Sequence, residues 1–208
     1  MKYIFLHGLG QTPSSWNDVV KFIENPADVL CPDLALLLRD REINYSNLYT
    51  AFSEYCMELA EPFNICGLSL GGIIALQYCI EHPKKVNSMV LIGTQYVMPK
   101  KLLQFQNAVF RFMPDRAFED MGFGKYDFIS LSKSMMELDF QRDLKNINCP
   151  VLVICGEKDK ANKQAALQLK EQIPTAKFTT IEKAGHEVNI QAPQQLSCVL
   201  SSFFQRSK

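Results

Sequence analysis

The chain has 208 residues, 47% hydrophobic and 21% charged, with 22 basic side chains balancing 22 acidic ones. That length and composition suit one globular domain, 1–208, with a full hydrophobic core. A net charge near zero carries none of the basic excess of a nucleic-acid surface and points to a small uncharged ligand rather than a polyanion.

Tyr3 to Leu6 is a short apolar run that ends at His7-Gly8, so a buried strand is expected. Thr12-Pro13 starts a helix, with Thr12 as N-cap and Trp16, Val19, Val20 and Ile23 on one face. Val29 to Cys31 is a second strand, stopped by Pro32. A helix over 46–60 sets Leu48, Phe52, Tyr55 and Leu59 on one side. Phe63 to Cys66 is the third strand, Leu70 to Glu81 a helix, and Val86 to Ile92 the fourth strand. Val151 to Cys155 is the fifth, followed by a helix from Asn162 to Ile173, and Lys177 to Ile181 is the sixth. The last helix carries Leu196, Val199, Leu200 and Phe203 at i, i+3, i+4, i+7.

Strands alternate with helices, and most strands are unbroken apolar runs, as when helices cover both faces of a sheet. The fold class is α/β, a doubly wound, mostly parallel sheet of about six strands. Residues 94–149 break the alternation. They hold five of the eight methionines and seven of the fourteen phenylalanines, and they are too long for a simple connection. They read as a small helical insertion. Their Met and Phe content fits either helices packing on each other or the lining of a lipophilic pocket.

The seven cysteines include no C-x-x-C pair and no Cys/His cluster at ligand spacing. They read as buried free thiols in a reducing, cytoplasmic compartment, with no metal site. The apolar part of MKYIFLHGLG is too short for a signal peptide, and no run approaches a membrane span.

Ligands of such sheets bind at the carboxyl ends of the strands. His7-Gly8, Ser69, Asp159 and His186 all fall there, after strands one, three, five and six. Gly67 and Gly72 have the outer spacing of a P-loop, but Ile73-Ile74 stand where Lys and Ser or Thr are required. Gly8-x-Gly10 lacks a third glycine, because position 13 is proline. Nucleotide binding is therefore set aside.

Gly67-Leu68-Ser69-Leu70-Gly71 is G-x-S-x-G between a strand and a helix, the context of a nucleophile elbow. Gly67 and Gly71 let neighbouring backbone come close, and the Leu70 N–H at the helix start points to where an oxyanion would form. A serine hydroxyl needs a base. Among three histidines, His186 in Lys183-Ala184-Gly185-His186 lies on the correct edge; His7 reads as a structural loop residue and His82 as a helix-end residue. Asp159 follows strand five and can orient the imidazole. The alternatives are Ser69 as a turn residue, Asp159 as the N-cap of the next helix, and Asp127 or Asp139 as the acid, although neither follows a strand.

FLHGLGQTPSSW at 5–16, CGLSLGGIIALQYCIEHPKKVNSMVLIGT at 66–94, CPVLVICGEKD at 149–159 and AGH at 184–186 together resemble the α/β-hydrolase superfamily, in the right order and over nearly the whole chain. The resemblance implies that Ser69 is the nucleophile, His186 the general base and acid, and Asp159 the orienting acid. It implies that the N–H groups of Leu9 and Leu70 form the oxyanion hole, with Gly8, Gly67 and Gly71 as supporting glycines. It also implies that 94–149 is the cap; the chain departs from the family in lacking the two antiparallel strands that typically precede the His-Gly strand, so about six strands, all parallel, are expected. The expected activity is that of a serine carboxylesterase on a small acyl substrate, with no metal or organic cofactor. A cofactor-free lyase, C–C hydrolase or perhydrolase on the same scaffold, and a non-catalytic ligand-binding member, are the alternatives.

Overall fold

A computed structural model describes residues 1–206. The chain runs β1 (Tyr3–Leu6), α1 (Asn17–Val20), β2 (Val29–Leu30), α2 (Leu34–Leu37), α3 (Tyr45–Met57), β3 (Phe63–Leu68), α4 (Leu70–Glu81) and β4 (Val86–Ile92). It continues through α5 (Lys100–Phe112), α6 (Lys125–Ser134), β5 (Val151–Gly156), α7 (Lys163–Gln172), β6 (Ala176–Ile181), α8 (Val188–Gln191) and α9 (Pro193–Arg206). The six strands form one parallel sheet in the order β2-β1-β3-β4-β5-β6.

Every residue of β3 and β5 is buried, which is why β5 reads as an unbroken apolar run; in β3 the one polar side chain, Asn64, accepts from Ser88 Oγ at 2.6 Å. Successive cross-strand rows face opposite ways. The row Ile4–Ile65–Met89–Val151 packs into one core with α3, α4 and α7. The next row, Phe5–Cys66–Val90–Leu152, packs into a second core with Val19 of α1 and Leu196 and Leu200 of α9. Trp16 anchors this second core, edge-on to Phe5 with ring centroids 5.1 Å apart.

Several local expectations are corrected. After Thr12-Pro13 the chain makes a 3₁₀ turn, Pro13–Trp16, before the single turn of α1. Thr12 makes no cap bond, because its Oγ1 pairs with Ser14 Oγ at 2.7 Å. β2 has only two residues; it is an edge strand, and Pro32 has no N–H to extend it. α3 starts at Tyr45, where Asn44 Oδ1 accepts the Asn47 N–H at 2.8 Å, and stops at Met57 rather than at 60. The one-turn helices α2 and α8 were not anticipated. Asp33 caps α2 by accepting from the Ala35 and Leu36 N–H groups. Pro193 opens α9 just after α8.

Between β4 and β5 lies the small helical cap. α5 and α6 pack on each other, and a single antiparallel bridge joins Val97 to Asp139. Phe110, Phe118 and Phe128 meet edge-on, with centroids 5.0 to 5.8 Å apart. Asp127 Oδ2 accepts the Gly124 N–H, and Asp139 Oδ1 accepts the Gln141 N–H, so both carboxylates serve local turns. Among the described residues, no helix is long and apolar enough to cross a membrane.

His7 ties the end of β1 to α2. Its Nε2 accepts the Leu34 N–H at 3.2 Å, so Nδ1 carries the proton and donates to the Gly8 carbonyl at 3.0 Å. Burial pushes this imidazole below its ordinary value, against smaller raising effects of the Gly8 carbonyl and Asp33.

Truncating Trp16 removes the largest fully buried side chain. Trp16→Ala is expected to cost about 3–5 kcal/mol in urea unfolding followed by circular dichroism; a cost under about 1 kcal/mol would mean that the second core does not depend on it. For His7 the unfolded chain takes up the proton first. Its stabilisation is complete above about pH 6.5 and declines as pH falls from there toward the lower folded-state value. His7→Asn should unfold at lower urea at about pH 8 yet lose that part of the pH slope; an unchanged slope would assign it to other groups.

Candidate active site

Ser69 is the single residue between β3 and α4. Its backbone sits at φ 53° and ψ −112°, a conformation that costs a non-glycine residue on the order of 1–3 kcal/mol. The neighbours hold it there. The Ser69 N–H donates to the Ile92 carbonyl at 2.9 Å, and its carbonyl accepts the Ile73 N–H at 3.0 Å. The turn is so tight that a Cβ on Gly67 would collide with the Gly71 carbonyl, and one on Gly71 with the Leu6 carbonyl. The serine is half-buried and opens into a cleft of about 370 Å³ between the sheet edge and the cap.

Asp159 and His186 line the same cleft, while Asp127 and Asp139 do not. Asp159 follows β5, and its side chain is 4% exposed. His186 follows β6 on a loop bent at Lys183, which has φ 60°, and its side chain is 37% exposed. His186 Nδ1 lies 2.7 Å from Asp159 Oδ2. Burial works to raise the Asp159 carboxyl, but hydrogen bonds from His186 and Asn162 outweigh it, and the carboxyl ends below its ordinary value. An ionised Asp159 accepts, so Nδ1 donates to it and Nε2 is left as the accepting nitrogen.

Five residues escaped the sequence reading. Asn162 donates from Nδ2 to both oxygens of Asp159, at 2.9 and 3.0 Å, and Gln95 Nε2 in turn donates to Asn162 Oδ1 at 2.8 Å. Asp159 Oδ1 also accepts the Asn162 N–H at 3.3 Å, so the carboxylate engages the start of the next helix as well as His186. The D-x-x-N spacing was the available signal. Gly93, at φ 55°, sits against the His–Asp pair: a Cβ there would lie 2.8 Å from His186 Nδ1 and Cε1, and 3.2 Å from Asp159 Oδ2.

The buried amides Gln11 and Asn189 carried no sequence signal. Gln11 Oε1 accepts the Gly8 N–H at 3.3 Å and Asn189 Nδ2 at 3.1 Å, and Gln11 Nε2 donates to Asn189 Oδ1 at 3.3 Å. They lock the loop after β1 to the segment that carries His186, across 178 residues of chain.

The N–H groups of Leu9 and Leu70 have no hydrogen-bond partner among the described residues, and both leucines line the cleft. Leu70 is the first residue of α4, so its N–H has no partner within the helix. Met98, Leu103, Phe110, Phe128 and Met135 form the cap side of the cleft. The cap's Met and Phe side chains thus both pack on each other and line the pocket. Among the described residues, no Lys or Arg lines the cleft.

A model of the alpha/beta hydrolase family matches residues 3–197. The chain is 24% identical to a pimeloyl-(acyl-carrier protein) methyl ester esterase of Aeromonas hydrophila, with 96% of this chain and 94% of that protein covered. It is 22% identical to a putative 2-succinyl-6-hydroxy-2,4-cyclohexadiene-1-carboxylate synthase of Bacillus subtilis, with 96% and 89% covered. Its fold superposes on the enol-lactonase of Burkholderia xenovorans LB400 with a TM-score of 0.82, at 17% identity, over 98% of this chain and 91% of that one. Matched over nearly its whole length and folded accordingly, the chain belongs to the alpha/beta hydrolase family.

Proposed function

We propose that the protein is a serine hydrolase that cleaves a small uncharged carboxylic ester through an acyl-enzyme. The observation that carries this reading is the 2.7 Å contact of His186 Nδ1 with the buried Asp159, in the cleft onto which the strained Ser69 opens. Ser69 Oγ attacks the ester carbonyl carbon, and its proton passes to His186 Nε2. The ionised Asp159 stabilises the imidazolium that forms. The N–H groups of Leu9 and Leu70 receive the oxyanion. As the tetrahedral intermediate collapses, the C–O bond to the leaving group breaks and His186 gives that oxygen its proton. Water then attacks the acyl-enzyme by the same route, releasing the acid and restoring Ser69.

The cleft supports the substrate class. Its cap side is mostly apolar, with Gln106 and Ser132 as uncharged polar groups, and among the described residues it offers no Lys or Arg to a charged acyl group. The seven free cysteines support a reducing, cytoplasmic location. Similarity to the putative synthase favours, as a second reading, lyase or C–C cleavage chemistry by the same residues. Reaction in ¹⁸O-water separates hydrolysis from lyase chemistry, because only hydrolysis, of an ester or of a C–C bond, puts the label in an acid product; the identity of the second product separates the two hydrolyses.

Ser69→Ala is expected to lower ester turnover on the order of 10⁶-fold where chemistry limits the rate; turnover within about tenfold of wild type would remove Ser69 as nucleophile. Gly93→Ala is expected to push the imidazole out of line, lowering kcat about 10- to 100-fold with KM little changed. An unchanged kcat in a folded Gly93→Ala protein would show that the close packing at Gly93 does not position His186.

A further inference from the structure

The apolar residues of α5 spread over one wide face whose two flanks are treated differently. Leu103 and Phe110 face the cleft. On the other flank Leu102, Phe105, Val109 and Phe112 recur at i, i+3, i+7 and i+10, and they are 42%, 67%, 42% and 91% exposed. Lys100, Gln104 and Arg111 make the opposite side polar, so α5 is amphipathic, and about half of its apolar face lies uncovered. Phe105 and Phe112 together expose on the order of 300 Å², a patch of the size that marks interaction surfaces.

The charge on α5 is of one sign. It carries Lys100, Lys101 and Arg111 and no acid. Lys100 pairs with Glu137, while Lys101 and Arg111 have no ion pair among the described residues. The positive charge belongs to α5 itself rather than to the chain, whose net charge is zero. A short helix with a Phe-rich outer face and uncompensated basic residues has the make-up of an interfacial helix. Self-association fits less well. Pairing two copies of α5 antiparallel sets Lys101 against Arg111, and pairing them parallel sets each against itself; both arrangements place like charges together. An acidic protein partner would satisfy the two cations but leave the phenylalanines without apolar cover.

We propose that α5 docks in the plane of an anionic lipid surface. Leu102, Phe105, Val109 and Phe112 enter the acyl region, and Lys101 and Arg111 meet lipid phosphates. Leu102 belongs both to this stripe and to the cleft wall, so the cleft opens at the lipid. An acyl chain can then pass toward Ser69 along apolar surface. That delivery rests on the ester-hydrolase reading; the docking itself does not.

The test is co-sedimentation of the full chain with vesicles of equal parts phosphatidylcholine and phosphatidylglycerol, against vesicles of phosphatidylcholine alone. Wild type and Ser69→Ala are expected to sediment equally well with the anionic vesicles and more weakly with the neutral ones. Because binding is read without turnover, failure of the hydrolase reading leaves this result untouched. Phe105→Ser/Phe112→Ser should lower the partition coefficient at least about tenfold while keeping the circular dichroism spectrum and turnover of a water-soluble ester. Lys101→Glu/Arg111→Glu should remove the preference for anionic vesicles. Leu36→Ser/Met57→Ser, which removes exposed apolar groups elsewhere, should bind as wild type does. Wild type that stays in the supernatant, or a Phe105→Ser/Phe112→Ser variant that binds undiminished, overturns the proposal. So does light scattering that shows a dimer, broken by the phenylalanine pair, in protein that ignores vesicles.

Discussion

The fold is organised around one unfavourable backbone conformation. Ser69 stands at φ 53° between the end of β3 and the start of α4. Nothing in the serine itself favours that geometry. It persists because β3 is hydrogen-bonded between β1 and β4, because the Ser69 N–H is bound to Ile92, and because glycines at 67 and 71 let strand and helix backbones touch. The cost, on the order of 1–3 kcal/mol, is met by the two apolar cores that clamp the sheet from both faces. In return a hydroxyl stands free of the strand, beside an N–H at the head of a helix that has no partner among the described residues.

The other members of the site depend on the same sheet. Asp159 follows β5 and His186 follows β6, so register alone brings their loops to one edge. Finer placement comes from packing and amides. Gly93 leaves just enough room for the imidazole, Asn162 holds both carboxylate oxygens, and the Gln11–Asn189 pair joins the first loop of the chain to the last. These contacts fix the orientation of the side chains that line the cleft. The cap closes the opposite side with Met and Phe side chains and leaves its own outer face apolar.

Much of this was legible in the sequence because it rests on local signals. Mostly apolar runs marked β3, β4 and β5, and the helical stripe from Leu196 to Phe203 marked α9. G-x-S-x-G between a strand and a helix singled out Ser69, and strand ends singled out Asp159 and His186. The illegible parts depend on distance or on single turns. Gln11 and Asn189 carry no pattern, since their pairing is made only by the fold. Gly93 looks like any glycine at a strand end until the imidazole is seen against it. The short helices α2 and α8 lack the length over which periodicity shows. The cap phenylalanines admitted two readings, and both hold because Phe110 and Phe128 pack on each other and line the cleft.

The central claim is that Ser69 is the activated nucleophile and His186 its base. A fluorophosphonate that reacts only with activated serines tests it directly, with the adduct located by mass spectrometry of the digested protein. The account predicts one adduct on the peptide containing Ser69, none in Ser69→Ala, and labelling slowed by orders of magnitude in His186→Ala. Folded wild-type protein that stays unlabelled, or carries the adduct on another residue, would contradict it.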